Sequence, residues 1–300
     1  AFVETEGNTN NNSYSWVNGN KDYYSFNAYT DYEHTFAEKH YVKAMLGFNQ
    51  ELTKYNTTTA TRQNLISQDL PSMILGTGMQ TVSESGYEWA LRGGFFRLNY
   101  IYNNRYLFEV NGRYDGTSRF PSDNRFVFLP SFSGAWRVSE EAFFEPLKHV
   151  IEDFKIKGSY GVVGNTNIDD YASRSYYSPY YYGSQGSYRL SKIADPNLKW
   201  ESSEKYDVGF SARVLDRIDI DFDYFYTKSS DLILDVPQAP SKGLPGNILT
   251  TNAGKMTNSG IELTISADIL RDGAFKWNTS FNITTTRNKV VSLANGLDNI

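Results

Sequence analysis

The chain has 300 residues, a net charge of −5 and a mean hydropathy of −0.51, and no stretch approaches the roughly 20 apolar residues a membrane helix needs, which excludes a helical membrane protein. The acidic balance and the lack of a basic stripe exclude a protein built to grip phosphate backbones, so no nucleic-acid partner is expected. Zero cysteines remove disulfides and thiolate metal sites, whereas 23 Tyr and 19 Phe raise the aromatic content to 16%, an excess that suits the interfacial girdles of a membrane β-barrel.

In chain order, alternation of apolar and polar residues predicts ten strands: Asp22 to Phe36, Lys39 to Tyr55, Tyr87 to Tyr102, Arg105 to Thr117, Arg125 to Val138, Ile151 to Val163, Glu201 to Val214, Arg217 to Asp235, Asn258 to Leu270 and Ala274 to Val290. Most exceed the roughly 5 to 6 residues of soluble strands, and a tilted membrane strand needs about 9 to 11. Pro130 lies inside the fifth and predicts a bulge or local break, because proline cannot donate to the ladder.

The connections alternate in length. Ala37-Glu38, Asn103-Asn104, Leu215-Asp216 and Arg271-Asp272-Gly273 read as tight hairpin turns, several carrying the Asn, Asp or Gly that tolerates positive φ. Ser139 to Val150 is a longer link at the same end, with a helical turn expected around Glu140 to Phe144. At the other end Asn56 to Gly86, Asn165 to Trp200 and Val236 to Thr257 read as long loops. In an outer-membrane barrel the short turns face the periplasm and the long loops face outward. The Asn/Thr-rich segments Asn8 to Asn12 and Asn56 to Thr61 are expected to be solvated loops.

The alternation separates two chemistries. Within Asp216 to Tyr226, Ile218, Ile220, Phe222, Tyr224 and Tyr226 share one face and Asp219, Asp221 and Asp223 the other. Ile261, Leu263, Ile265, Ala267 and Ile269 oppose Glu262, Thr264, Ser266 and Asp268; Tyr106, Phe108, Val110 and Tyr114 oppose Glu109, Asn111, Arg113 and Asp115. A charge facing lipid costs roughly 2 to 4 kcal/mol at the midplane, so one face suits lipid and the other water. The fold class predicted is all-β, an antiparallel transmembrane β-barrel.

Enzyme chemistry finds little support. A hydrolase would need a histidine near the outer rim, but His34 and His40 flank a short turn and His149 lies in the short-turn link. Asp219, Asp221 and Asp223 imitate the start of a calcium loop, yet Tyr224 stands where glycine is required. Gly158 to Gly164 has glycine spacing without the Lys of a phosphate cradle. No catalytic residue, metal or cofactor is expected. Tyr176-Tyr177-Ser178-Pro179-Tyr180-Tyr181-Tyr182 with Tyr188 lies in the longest outer loop, where tyrosine faces could stack on sugar rings or meet a partner protein; a self-packed loop or an interfacial girdle is the alternative.

Several motifs resemble the SusC/RagA family of TonB-linked outer-membrane transporters. Asp115-Gly116-Thr117-Ser118-Arg119-Phe120 is similar to that family's D-G-S-S-R-F turn, followed by Leu129-Pro130-Ser131 and Trp136-Arg137-Val138-Ser139-Glu140-Glu141. Ser159-Tyr160-Gly161-Val162-Val163-Gly164-Asn165 resembles S-Y-G-x-x-G-N, and Pro196-Asn197-Leu198-Lys199-Trp200-Glu201 resembles N-P-x-L-K-W-E, with Asp195 in place of the usual first Asn. Asp223-Tyr224-Phe225-Tyr226 leads to Asp231-Leu232-Ile233, and Asn252-Ala253-Gly254 to Asn258-Ser259-Gly260-Ile261-Glu262. All stand in the family's order.

The resemblance implies that residues 1–300 are a partial barrel domain, about ten strands of a barrel of about 22. The N-terminus lacks a signal peptide, and no plug domain, TonB box or closing strand is recognised, so an internal portion of a longer protein is expected. The family implies import across the outer membrane of a Gram-negative, Bacteroidota-like cell, a SusD-like lipoprotein partner, TonB acting through parts outside this chain, and oligosaccharide or peptide cargo. Tyr176, Tyr177, Tyr180 and Tyr181 are the expected cargo or partner contacts, with Asp115 and Arg119 at a strand end facing the outer mouth. The alternative is a soluble, secreted all-β carbohydrate-binding or adhesive module.

Overall fold

The computed structural model describes residues 12–67, 69–271 and 274–294. Among the described residues there are twelve strands: β1 (Ser13–Phe36), β2 (His40–Gln63), β3 (Gln80–Tyr102), β4 (Tyr106–Thr117), β5 (Phe126–Arg137), β6 (Ile151–Asn165), β7 (Tyr176–Tyr182), β8 (Gln185–Lys192), β9 (Glu201–Val214), β10 (Ile218–Pro237), β11 (Ile248–Leu270) and β12 (Trp277–Ser292). Ten form one sheet in the order β1-β2-β3-β4-β5-β6-β9-β10-β11-β12, so sequence neighbours pair except where the β7–β8 hairpin is looped out as its own two-stranded sheet.

The described residues fall in two compact units, 12–26 with 51–90 and 27–50 with 91–294. In the first, the Asn12 amide pairs with the backbone of Leu65 through two hydrogen bonds of 3.0 Å. Leu65 is buried there, and the Tyr55 and Tyr87 rings meet at 5.1 Å.

In the second unit the predicted turns form as expected. Ala37 and Glu38, Asn103 and Asn104, and Leu215 and Asp216 all take positive φ, the two-residue geometry whose twist matches antiparallel strands. Asn and Asp tolerate this region; Ala37 and Leu215 do not, so the hairpin imposes it on them. Two residues of the fourth turn, Asp272 and Gly273, lie outside the described residues. The helical turn expected near Glu140 is present as two 3-10 turns, Val138–Glu140 and Ala142–Leu147.

Several strands run further than predicted, and the loops are correspondingly shorter. β2 continues to Gln63, β3 begins at Gln80 and β11 at Ile248. Asn56 to Thr61 is therefore strand and not loop; only Asn12 of the Asn8 to Asn12 segment is described. Thr-rich, charge-poor sequence has good strand propensity once neighbours supply ladder partners. Pro130 makes no bulge against β4: the register runs unbroken through Gly112↔Pro130 to Gly116↔Phe126. The ladder with β6 instead stops at Ser131, next to the proline, so the missing N–H falls where β5 and β6 part.

The faces of the sheet follow the alternation. Phe108, Phe132, Tyr206, Val208, Tyr224, Ile261, Phe281 and Ile283 occupy one face and are all exposed. Their rings join across strands: Phe132 with Tyr160, Tyr160 with Tyr206 and Tyr206 with Tyr226 in one row, Phe154 with Phe210 and Phe210 with Phe222 in another. A continuous exposed apolar face of this size calls for lipid or a partner surface. The opposite face carries the charges, and the buried cluster sits at the long-loop end: Phe120, Ala172, Leu198 and Trp200, with Val127, Ile168 and Ile233 packed against it.

Candidate functional site

The polar face is built from side chains that neighbouring strands hold in place. Arg113 grips Asp115 with two bonds, Nε at 2.9 Å and Nη2 at 3.0 Å, while its guanidinium lies 5.1 Å from the Phe95 ring centre. Gly93 faces Asp115 from β3, and a Cβ there would fall 1.8 Å from Asp115 Oδ1, so only glycine leaves room for the carboxylate. Further along, Lys157 Nζ donates to Asp223 Oδ2 at 2.8 Å. Gly209 makes space for Asp223 in the same way, its would-be Cβ lying 2.1 Å from Oδ1. Asp219, Asp221 and Asp223 stand in a row opposite Arg213, Ser211 and Gly209 of β9, as strand carboxylates should. Asn99, Leu107, Glu109, Ser133, Lys157 and Asp207 line a cavity of about 360 Å³ on this wall.

The long-loop end is tied together by residues far apart in sequence. Arg119 Nε donates to Asp170 Oδ1 at 2.7 Å and Nη1 to the Thr166 carbonyl at 3.2 Å. Trp200 fills the gap where β5 and β6 separate: its ring lies against Gly164, which also faces Leu129, and its Nε1 donates to the Arg125 carbonyl at 2.9 Å. Glu201 accepts from the Asn165 amide at 2.6 Å and the Ile233 N–H at 2.7 Å. Asn252 accepts from the Lys199 N–H and donates to the Lys199 and Asp231 carbonyls, where β10 bulges between Ser229 and Leu232. The segments 115–120, 159–165, 196–201, 231–233 and 252–254, picked out separately in the sequence, thus interlock in one place.

On this base stands the β7–β8 hairpin. Gly183, with φ +61°, and Ser184 turn it so that Tyr182 pairs with Gln185, the type II′ pattern. Cross-strand pairing puts Ser178, Tyr180, Tyr182, Ser187 and Arg189 on one face and Tyr177, Pro179, Tyr181, Tyr188 and Leu190 on the other. Tyr177, Tyr181 and Tyr188 are 65%, 73% and 79% exposed, and Tyr176 and Tyr180 are also exposed.

Of the six residues singled out in the sequence, the four tyrosines are displayed together on β7. Asp115 is 8% exposed and held by Arg113, and Arg119 is held by Asp170 and the Thr166 carbonyl. Sequence reading passed over the hairpin itself and Arg189. The signal was present, since alternating polar and aromatic residues flank Gly183-Ser184, but it lay within a stretch read as loop.

At the short-turn end Glu141 gathers three donors: Tyr106 Oη at 2.6 Å, Trp136 Nε1 at 3.1 Å and Arg105 Nη1 at 3.2 Å. The Tyr106 hydroxyl above all, then the Trp136 indole, holds the Glu141 carboxyl below its ordinary range. Asp216, in the β9–β10 turn, is lowered chiefly by its hydrogen bond from Arg271, 2.5 Å away. His40 Nδ1 lies 2.8 Å from Tyr100 Oη, a contact within the wall.

Comparison with known proteins is consistent throughout. Residues 2–299 match the family model described as TonB dependent receptor-like, beta-barrel. TonB-dependent receptor P3 of Formosa agariphila is 30% identical over 277 residues, covering 90% of this chain and 27% of that protein. TonB-dependent receptor SusC of Bacteroides thetaiotaomicron is 33% identical over 213 residues, 68% of this chain and 21% of SusC. The chain therefore spans about a quarter of the length of these curated relatives. Among solved structures, the RagAB peptide importer in its closed-closed state superposes with a TM-score of 0.87 at 23% identity, covering 95% of this chain and 32% of that one. The outer membrane transporter YddB of Escherichia coli gives 0.58 at 13% identity, covering 91% and 34%.

Proposed function

We propose, on the premise that this chain belongs to the TonB-dependent receptor β-barrel family, that it forms part of the barrel wall of a SusC-type transporter in the outer membrane of a Bacteroidota-like cell. Oligosaccharides, or peptides, are the imported cargo; a SusD-like lipoprotein is the surface partner, and TonB drives transport through segments outside this chain. The observation that carries the reading is the division of the sheet, with exposed Phe, Tyr, Ile and Val on one face and Lys157, Asp223, Arg113 and Asp115 on the other. The first face meets lipid and the second a hydrated lumen.

In this reading Tyr176, Tyr177, Tyr180 and Tyr181 contact cargo or the lipoprotein. Asp115 and Arg119 shape the wall and loop base beneath them. A secreted adhesive module fits less well, because it would have to cover the exposed apolar face with a second sheet.

The test is the detergent-extracted complex and its transport. A co-purifying lipoprotein, together with loss of oligosaccharide or peptide uptake on gene deletion, is the expected result. A species that stays in solution without detergent, with no uptake defect on deletion, would overturn the proposal.

A further inference from the structure

We infer that the cargo is an anionic oligosaccharide, bearing carboxylate or sulfate groups, and that Arg189 recognises its charge in a cleft between β8 and the turn Pro245–Asn247. The inference rests on the transporter reading above and adds the substrate class. β8 packs against that turn, and the cleft, about 560 Å³, is lined by Arg189, Leu190 and Ser191 on one side and by Gly243, Leu244, Pro245 and Gly246 on the other.

Three observations select a negatively charged sugar. First, the Arg189 guanidinium lies 5.0 Å from the centre of the Tyr180 ring and has no carboxylate partner among the described residues. Arg174 is held in the same manner, 5.7 Å from Tyr171. An arginine laid on an aromatic face keeps in-plane donors for a bidentate bond to a carboxylate or sulfate.

Second, five acidic groups at this end have partners other than Arg189 and Lys242. Asp170 is engaged by Arg119, Asp231 by Lys199, Asp195 by the Thr251 hydroxyl, Asp235 by Thr250 and Glu201 by Asn165. Lys242 holds only the neutral Gln238. Arg189 and Lys242 thus lack a carboxylate partner among the described residues, although the whole chain is acidic.

Third, Tyr180 and Tyr182 share the Arg189 face of the hairpin, so flat aromatic surface stands beside the charge, as a pyranose ring with an acidic substituent requires.

The experiment uses the full-length transporter with its lipoprotein in detergent, titrated calorimetrically with tetragalacturonate, a sulfated carrageenan tetrasaccharide, neutral cellotetraose and tetraglutamate, alongside uptake of the same probes by cells. At least one anionic glycan should bind tighter than cellotetraose, with a margin that shrinks as salt is raised. Arg189→Gln should cut that margin about tenfold, the loss of one charge-assisted pair, whereas Arg189→Lys should retain part of it. Equal binding of neutral and anionic glycans, preference for tetraglutamate, or an unchanged margin in Arg189→Gln would overturn the inference. Uptake separates the two readings: neutral and anionic glycans bound equally and both imported would sink the anionic subsite alone. Charge-dependent binding with no uptake of any probe would support the subsite and sink the transport reading.

Discussion

Trp200 donates its indole N–H to the carbonyl of Arg125, 75 residues earlier in the chain, at 2.9 Å. The bond sits where the β5–β6 ladder has ended beside Pro130, so the indole fills space that two diverging strands would otherwise leave open. Phe120, 5.7 Å away, completes the contact. The tyrosine hairpin springs from the connection that this cluster anchors.

Trp200→Ala should therefore loosen the loop base without dismantling the sheet. Removal of a buried Trp costs about 3–5 kcal/mol, and here the loss is local. Trypsin should cut the region around Arg174 and Lys199 faster in the variant in intact outer membranes, with the same amount of protein inserted. Trp200→Phe should fall between the two, since it keeps much of the packing and gives up the hydrogen bond. Equal cleavage of Trp200→Ala and wild type would show that the indole does not anchor the loops.

Gly93→Ala probes the wall. The added methyl would land on the Asp115 carboxylate and drive it from Arg113, and overpacking of this kind costs about 1–3 kcal/mol. A lower temperature for loss of the folded band on heated gels is expected, and an unchanged temperature would mean that β3 and β4 shift apart freely.

Leu215→Asn should stabilise the β9–β10 hairpin. Leu215 has φ 52°, a region that costs most residues about 1–2 kcal/mol and that Asn tolerates better; a gain of about 1 kcal/mol is expected in urea unfolding. Because Leu215 is exposed, little packing is lost in exchange. A variant no more stable than wild type would place the strain elsewhere.

Glu141 gives a pH signature. Its folded pKa is depressed below the ordinary value of 4.5, so its contribution is fully present above that value and is lost as pH falls through the lower, folded one. The difference in unfolding temperature between wild type and Glu141→Gln should be constant near neutrality and should shrink below about pH 4.5. A gap independent of pH down to 3 would show that the ionised charge of Glu141 is not what the three donors stabilise.

Replacing Tyr176, Tyr177, Tyr180 and Tyr181 by Ala should weaken uptake or lipoprotein association several-fold while insertion stays normal, because these rings are exposed on a hairpin outside the main sheet. Unchanged uptake and association would leave the tyrosines as loop packing.

Most of the sheet was legible in the sequence. A side-chain period of two is a local property, and opposite environments on the two faces force it to be strict. Phe222, Tyr224 and Ile261 could be assigned to the apolar face from spacing alone, and Asn103-Asn104 announced its turn by residue type. The strand extensions were not legible, because Thr57 to Thr61 and Ile248 to Thr257 become strand only when a neighbour supplies hydrogen bonds. Pro130 was legible as an interruption but not as to which ladder it ends, since that depends on which partner the proline nitrogen faces.

The motifs show the same division. The sequence by itself determined that residues such as Asp115, Arg119, Trp200, Glu201 and Asn252 are special, through short-range pattern and resemblance, and it determined the two-faced sheet through alternation. Only the tertiary structure decided what these residues do: Arg119 reaches Asp170, Trp200 reaches Arg125 and Glu201 reaches Ile233. These contacts form between loops that the strands bring to one end of the sheet. Packing and hydrogen bonding act over a few ångströms in space, whatever the separation along the chain, so a reading of local pattern finds the residues and the fold supplies their partners.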